Sequence, residues 1–162
     1  MMPSTRTGIG FDVHKLNSGI PLIIGGVHIE HDKGLEGHSD GDVLMHAIID
    51  SILGAASLGD IGNYFSSDDS NIKGVSSGIL LERVREYVAS AGYGVVFVDA
   101  TIIAQNPTMK PHIINMESNI ASNLGLEADS VNIKATTTDR LGVIGREEGI
   151  ACMSVATLEK II

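Results

Sequence analysis

The sequence predicts an α+β fold, with helices on one face of a mixed four-stranded sheet and a β-hairpin near the N-terminus. Three observations support this prediction. The chain has 162 residues, which suits a single domain spanning residues 1–162. Apolar residues make up 43% of the chain, enough to build a core. Segments with the periodicity of strands alternate along the chain with segments of helical periodicity.

The first third of the chain predicts a strand, a hairpin and a helix. Apolar and polar residues alternate over residues 5–14, which is typical of a strand. An apolar run followed by Gly25–Gly26 predicts a hairpin within residues 21–27. The polar, glycine-rich residues 31–41 predict a loop. We expect a helix from Asp40 to Ser57, with the Asp40 side chain as its N-cap.

The rest of the chain alternates between helices and strands. Residues 62–71 consist of turn-forming residues and predict a mobile loop. The β-branched run from Val95 to Ala104 predicts a strand. Two further helices are expected, one over residues 76–91 that ends at Gly92 and one that follows Pro111 and extends to about Leu124. Two further strands are expected over residues 131–138 and 150–158, and a glycine-rich turn at 141–145 joins them.

Charge and composition exclude several classes of partner. Eleven Lys and Arg against twenty Asp and Glu give a net charge of −9, which argues against nucleic acid and anionic membranes. No apolar run approaches the ~20 residues of a membrane span, and we expect a cytoplasmic protein. The single cysteine, Cys152, excludes a disulfide framework. Gly8 and Gly10 resemble the start of a dinucleotide-binding fingerprint, but its third glycine is absent.

Asp12, His14 and a further histidine form the first candidate site. Side chains two residues apart on a strand point to the same face, so Asp12 and His14 project side by side. His38 and His46 both lie near the helix that follows. One aspartate and two histidines suit a zinc site with an open fourth position. The alternative is a simple polar pair, with the other histidines at the surface.

Threonines and an arginine near the C-terminus form two further candidate sites. Thr136, Thr137 and Thr138 offer three consecutive hydroxyls suited to a phosphate, and Asp139 suits a hard cation. The alternative is a threonine-rich strand with no binding role, because threonine favours strands. Arg146, in a glycine-flanked turn, suits bidentate phosphate binding or, alternatively, pairing with neighbouring acidic residues.

Seven short motifs follow one another between residues 8 and 158. They are Gly10–His14, Ile24–Val27, His38–Val43, Leu58–Gly62, Ile102–Gln105, Ala135–Thr138 and Gly149–Cys152. In order and spacing they resemble the 2-C-methyl-D-erythritol 2,4-cyclodiphosphate synthase family, which serves the non-mevalonate route to isoprenoids. Each motif alone is weak, but seven in the same order make the resemblance specific.

The resemblance implies a metal-dependent lyase acting on 4-diphosphocytidyl-2-C-methyl-D-erythritol 2-phosphate. The 2-phosphate closes onto the β-phosphorus of the same molecule, CMP leaves, and 2-C-methyl-D-erythritol 2,4-cyclodiphosphate remains. No protein nucleophile is required, so catalysis depends on positioning and on neutralising charge. The resemblance further implies a homotrimer with active sites between neighbouring subunits. We expect a bacterial cytoplasmic protein, because the first predicted strand begins close to the start of the sequence, with the mature form of a plastid protein as the alternative.

Residue by residue, the resemblance implies that Asp12, His14 and His46 bind one Zn²⁺ per active site. Asp139 would hold a Mg²⁺ or Mn²⁺ that bridges the diphosphate. His38 and Thr137 match positions that stabilise the transition state. The remaining positions implied to contact the substrate are Ser39, Asp60 and Gly62, the closing loop from Phe65 to Asp69, the nucleotide-side residues Ala104, Thr108, Met109 and Lys110, and Ala135, Thr136, Thr138, Val143 and Arg146.

Four positions depart from the commonest pattern of the family. Asp139 stands where glutamate is usual, and Thr108 stands where many relatives have lysine. Val143 and Met153 replace a phenylalanine and a glutamate that some relatives place beside an apolar cavity on the trimer axis. We expect the shorter Asp139 to preserve activity with an altered affinity for the second metal.

Two other function classes fit the same residues. A zinc-dependent diphosphate hydrolase would use Asp12, His14 and His46 to direct water at a diphosphate, and would release free phosphates instead of a cyclic product. A trimeric metal-bound sensor of nucleotides or isoprenoids would bind its ligand without turnover.

Overall fold

A mixed five-stranded sheet forms the centre of the structure, a computed structural model that describes residues 4–161. The strands are β1 (Thr5–Ser18), β2 (Leu22–Ile24), β3 (Val27–Ile29), β4 (Lys33–Leu35), β5 (Tyr93–Ile103), β6 (Val131–Thr136) and β7 (Gly149–Lys160). The central sheet has the order β4-β1-β7-β5-β6. Only β5 and β6 pair in parallel, and the other neighbours are antiparallel.

The expected α+β class is confirmed, but the sheet has five strands instead of four. The additional strand, β4, lies within residues 31–41, which were expected to form a loop. It pairs with the end of β1, where Leu16 lies opposite Leu35. Three residues are too few for an alternating pattern to show in the sequence, so β4 depends on its partner strand.

The hairpin predicted around Gly25–Gly26 is confirmed as the pair of β2 and β3. Both glycines have a positive φ, 59° and 70°, which glycine adopts without a steric penalty. Their backbone N–H groups donate to the two carboxylate oxygens of Asp42, at 2.9 and 2.8 Å. The turn is therefore tied to the start of the following helix.

The helices are α1 (Val43–Ala56), α2 (Ile61–Tyr64), α3 (Ser77–Ser90), α4 (Ile113–Leu124) and α5 (Gly142–Gly145). The predicted N-cap of α1, Asp40, is wrong. The cap is Asp42, which accepts a hydrogen bond from Met45 N at 3.1 Å and is fully buried. The helix expected over residues 76–91 is confirmed as α3, which Ser76 caps, and the predicted terminating glycine, Gly92, has a φ of 85°.

Two segments expected to be irregular contain short helices. Residues 62–71 include most of α2, which Asp60 caps by accepting from Asn63 N at 3.2 Å. The turn at 141–145 contains α5. Neither helix is longer than four residues. The turn-forming residues of both segments predict irregular structure, and a helix of one turn is too short to show a helical periodicity in the sequence.

α1 packs directly onto β1, and two glycines permit this contact. A Cβ atom on Gly10 would lie 1.9 Å from the carbonyl oxygen of Ala47, and one on Gly8 would lie 2.1 Å from that of Ser51. Gly8 and Gly10 therefore allow the helix backbone to approach the strand. Their role is packing, in agreement with the absence of a complete dinucleotide fingerprint.

The helices cover one face of the central sheet, as predicted. α1 lies against β1 and β7, α3 contacts β5, and α4 contacts β6. The opposite face exposes apolar side chains from β1 and β7, including Phe11, which is 55% exposed, and its cross-strand neighbour Met153. In the part of the chain that the structure describes, no helix combines the length and hydropathy needed to cross a membrane.

Candidate metal centre and active site

Asp12, His14 and His46 meet between β1 and α1. Asp12 and His14 lie two residues apart on β1, so both side chains point towards the helix side of the sheet. His46 lies in the first turn of α1 and faces them. The Nε2 atom of His14 is 2.7 Å from Oδ2 of Asp12, and the Nδ1 atom of His46 is 3.3 Å from that same oxygen and 3.3 Å from His14 Nε2.

These three atoms fit the donor set of a tetrahedral zinc ion. Zinc bonds of about 2.0–2.1 Å place neighbouring tetrahedral donors about 3.3 Å apart. Two of the three observed separations have this value, and the third is shorter. All three donors lie within 4.8 Å of one another, and residues 4–161 contain no second group of three such side chains. The site therefore suits one metal ion with an open coordination position.

The electrostatics of the cluster favour a charged carboxylate. Burial raises the pKa of Asp12, but hydrogen bonds from His14 and His46 and their positive charge outweigh this effect, and the pKa lies well below its usual 3.8. Burial lowers the pKa of His14, but Asp12 reverses that shift, and the pKa lies above its usual 6.5. The negative charge of Asp12 thus favours a cation at this point.

A cavity of about 630 Å³ opens onto the metal cluster. Four residues predicted to contact the substrate or to act in catalysis line it together with the metal ligands, namely His38, Ser39, Gly62 and Phe65. His38 is exposed, while Phe65 is buried with its ring 6.4 Å from that of Tyr87 on α3. The structure therefore brings these predicted residues into one cavity.

Asp60 and Asp69 lie beside this cavity without lining it. Asp60 caps α2, and the exposed Asp69 accepts hydrogen bonds from the backbone and side chain of Asn71. Asp50, on α1, accepts from Ile61 N at 2.8 Å, and burial raises its pKa. Asp50 is thus a paired carboxylate that supports α2.

The threonine-rich candidate site lies elsewhere in the chain, at the ends of β5 and β6. The backbone N–H of Asp139 donates to Thr137 Oγ1 at 3.2 Å, and Thr138 Oγ1 donates to the carbonyl of Leu141 at 2.8 Å. Asp139 is exposed and has a φ of 51°. One exposed carboxylate suits Mg²⁺, which usually takes one or two protein carboxylates together with substrate phosphates and water.

The sheet register separates the threonine site from the metal cluster within one chain. Asp12 lies opposite Cys152, Cys152 opposite Ile102, and Ile102 opposite Ala135. Three strand spacings of about 4.8 Å make about 14 Å. None of the residues from Ala135 to Asp139 lines the cavity at the metal cluster. The structure therefore does not bring Thr137 and Asp139 to His38 in a single chain.

None of the other predicted contact residues lines the cavity at the metal cluster. Ala104 N donates to the carbonyl of Thr136 at 3.0 Å. Arg146 pairs with Glu148 at 3.2 Å, as in one of the two interpretations of its turn. The remaining predicted contact residues are the exposed Thr108, Lys110, Ala135 and Val143 and the buried Met109.

Sequence reasoning missed several residues around the metal cluster. Lys15 and Glu36 line the cavity, and Ser77 and Asp40 lie behind His46. Ser77 is fully buried and its hydroxyl is 3.0 Å from His46 Nε2. In the sequence it is one of two consecutive serines at the start of a helix, and only Ser76 has a capping role that sequence predicts.

Comparison with known proteins identifies the family to which the chain is similar. The model of the YgbB family matches residues 5–159. A relative from Porphyromonas gingivalis (strain W83), named 2-C-methyl-D-erythritol 2,4-cyclodiphosphate synthase, is 54% identical over 153 residues, covering 94% of each chain. A relative of the same name from Synechococcus sp. (strain CC9311) is 54% identical over 160 residues, covering 98% of this chain and 96% of its own.

Solved structures show the same fold. The bifunctional IspDF of Campylobacter jejuni matches with a TM-score of 0.94 and 43% identity over 98% of this chain, which spans 43% of that longer protein. The IspF of Plasmodium falciparum, in complex with CDP, matches with a TM-score of 0.85 and 33% identity over 98% of both chains. These matches confirm the resemblance found in the sequence. The chain belongs to the YgbB family, the family of the 2-C-methyl-D-erythritol 2,4-cyclodiphosphate synthases.

Proposed function

We propose that this chain cyclises 4-diphosphocytidyl-2-C-methyl-D-erythritol 2-phosphate to 2-C-methyl-D-erythritol 2,4-cyclodiphosphate and releases CMP. The observation that carries the proposal is the meeting of Asp12, His14 and His46 at the cavity of about 630 Å³, in a chain of this family. The reaction is that of a phosphorus–oxygen lyase in isoprenoid-precursor biosynthesis. We place it in the cytoplasm.

Asp12, His14 and His46 would hold a Zn²⁺ ion. When bound, such an ion lowers the repulsion between two phosphate groups that must approach each other. The three side chains reach the site from one strand and one helix, so the packing of α1 on β1 fixes them before substrate binds. The phosphorus atom under attack and the attacking oxygen belong to one substrate, so the chain has only to orient them.

Residues of the cavity would orient the substrate. His38 and Ser39 lie beside the metal cluster and offer an imidazole and a hydroxyl for hydrogen bonds to the phosphate. Phe65 and Gly62 line the side formed by α2. We assign the methylerythritol part to this side, with Asp60 beside it and the loop from Phe65 to Asp69 closing over it.

The nucleotide half of the substrate would lie at the threonine site of a neighbouring subunit. There Asp139 would hold Mg²⁺ or Mn²⁺, Thr137 would stabilise the transition state, and residues from Ala104 to Lys110 would hold cytidine. The separation of about 14 Å between the two sites within one chain supports this division. The CDP in the Plasmodium falciparum structure supports a cytidine nucleotide as ligand.

A homotrimer would bring the two half-sites together. The outer face of the sheet supports assembly, because Ile9, Phe11, Val13, Met153 and Val155 are at least 40% exposed there in the single chain. Contiguous exposed apolar side chains of this kind mark interaction surfaces. The two pairs Ile9–Val155 and Phe11–Met153 lie side by side across β1 and β7.

Phosphorus NMR of the products tests the proposed reaction. The chain is incubated with its proposed substrate, zinc and magnesium. We expect a coupled pair of cyclic diphosphate signals and one equivalent of CMP. Free phosphates would favour the zinc-dependent diphosphate hydrolase, and binding without turnover would favour the sensor.

A further inference from the structure

We infer that Ser77 and Asp40 are positioning residues that determine which ring nitrogen of His46 faces the metal site. The inference rests on the proposed metal site and concerns two side chains behind it. Neither residue lines the metal cavity, and both lie on the side of His46 that points away from Asp12 and His14.

The three side chains form a continuous chain of hydrogen bonds. Nε2 of His46 lies 3.0 Å from Ser77 Oγ, and Ser77 Oγ donates to Oδ1 of Asp40 at 2.5 Å. The backbone N–H of Ser77 donates to the other oxygen of Asp40 at 2.9 Å. Asp40 thus accepts two hydrogen bonds from one residue. A third, from Asp42 N at 3.1 Å, also reaches Oδ1.

The position of one proton fixes the tautomer of His46. A serine hydroxyl has a single proton, and that of Ser77 goes to Asp40. Towards His46, Ser77 Oγ therefore presents a lone pair, which favours a proton on Nε2 that is donated to Ser77, while the hydroxyl of Ser39 can accept from the same N–H or point into the cavity. In the neutral ring Nδ1 then has a free lone pair, and Nδ1 is the atom that faces Asp12 and His14. This is the tautomer that a metal ion needs at this position.

The fold holds this chain of hydrogen bonds rigidly. Ser77 is the first residue of α3 and is fully buried, while His46 lies on α1. Asp40 lies in the loop before α1 and accepts from the backbone N–H of Ser77 at the start of α3, where a negative charge is favourable. Asp40 therefore links the loop, the metal ligand and a second helix.

Ser39 has a different role, although it also lies close to His46. Its Oγ is 2.9 Å from His46 Nε2 and 3.2 Å from Ser77 Oγ. Ser39 lines the cavity and has no carboxylate partner among the described residues. Its hydroxyl is therefore available to a ligand, whereas that of Ser77 is committed to Asp40.

Zinc affinity is the first readout, measured by competition with a chelator and without any activity assay. Loss of a residue that orients a metal ligand typically costs 10- to 100-fold in metal affinity, and we expect Ser77→Ala to fall in this range. Ser51→Ala is the matched control, because Ser51 is also fully buried and bonds to Ser154 Oγ at 3.0 Å, away from the metal. An unchanged affinity in Ser77→Ala, or an equal loss in Ser51→Ala, would overturn the inference.

The tautomer of His46 is the second readout, observed by nitrogen-15 NMR of the labelled imidazole in metal-free and zinc-bound protein. We expect a proton on Nε2 in the wild type. In Asp40→Asn, the side-chain amide can donate to Ser77 Oγ, and the hydroxyl of Ser77 can then donate to Nε2 of His46. The neutral ring should therefore carry its proton on Nδ1. We expect this variant to bind zinc at least about 10-fold more weakly. Finding Nε2 without a proton in the wild type would overturn the inference even if the enzyme cyclises its substrate. Cyclisation is measured separately, so its failure would count against the proposed function alone.

Discussion

Nδ1 of His46 lies 3.3 Å from Nε2 of His14, although 32 positions separate the two residues in the chain. The contact joins the first turn of α1 to β1. It depends on the close approach of this helix to the strand, which Gly8 and Gly10 permit. The candidate metal site is therefore built on rigid elements, while the cavity next to it is completed by the loops around His38 and Phe65.

The affinity for zinc should increase with pH because the metal binds the neutral form of His14. The pKa of His14 lies above its usual 6.5, so zinc must displace a proton from His14 at pH values that extend above 6.5. Affinity should rise through this range and then level off. Isothermal titration at several pH values measures it, and a flat profile would contradict the assignment of His14 as a ligand.

The stability of the metal-free protein should show the opposite trend. A histidine with a raised pKa contributes stability that is complete below pH 6.5 and is lost as the pH rises through the pKa of the folded state. We therefore expect metal-free protein to become less stable in that range, while zinc restores stability there. Thermal unfolding with and without zinc measures both curves, and His14→Gln should remove the contribution of His14 to each.

Gly10→Ala should separate α1 from β1. Its Cβ would meet the carbonyl oxygen of Ala47 at 1.9 Å, which the backbone must move to relieve. Overpacking of this kind costs about 1–3 kcal/mol or more, and zinc affinity should fall with it. Gly54→Ala is the control, because Gly54 is exposed on α1 and the nearest atom is 3.9 Å away. It should stabilise the helix by about 0.5–1 kcal/mol. Equal unfolding free energies for the two variants would contradict the packing role.

The longer elements and part of the candidate metal site were predictable because their patterns are local. Residues 5–14 alternate in polarity, α1 and α3 have helical periodicity, and Asp12 and His14 share a strand face. Assigning His46 as the third metal ligand required the resemblance to a family, because spacing alone left His38 and His46 equivalent.

Other features depend on contacts between distant segments and leave little trace in the sequence. β4 is a strand only because Leu35 pairs with Leu16. Asp42 caps α1 in place of Asp40 because it can also bind the hairpin turn at Gly25 and Gly26. Ser77 supports His46 from a helix that begins 31 residues later. Such pairings are determined by the packed fold, not by propensity.

Phe11→Glu should disrupt the proposed trimer. Phe11 is 55% exposed on the outer sheet face in the single chain, and burying a charge there without a partner is unfavourable. Light scattering should give three times the mass of one chain for the wild type and a smaller mass for the variant. Ile114→Glu is the control, because Ile114 is 79% exposed on α4, away from that face. A wild-type monomer that is fully active would contradict the shared active site.

Asp139→Asn should weaken magnesium binding without affecting zinc. Asparagine tolerates the positive φ of 51° at this position and removes the charge. We expect the magnesium concentration at half-maximal rate to rise at least about tenfold, because Mg²⁺ binds through few carboxylates. Asp139→Glu, with one more methylene, should also shift the magnesium curve. Asp129→Asn, at an exposed position outside the proposed site, should not. Coincident magnesium curves for the wild type and Asp139→Asn would exclude this residue as a ligand.

The central claim is that a phosphate of the substrate itself, and not water, attacks the β-phosphorus. Turnover in water enriched in oxygen-18, followed by mass spectrometry of both products, tests it most directly. The account predicts a cyclic diphosphate and CMP that contain no oxygen-18 from the solvent. CMP with an uncyclised methylerythritol bisphosphate that carries one solvent oxygen, in place of the ring, would contradict the account and identify a hydrolase.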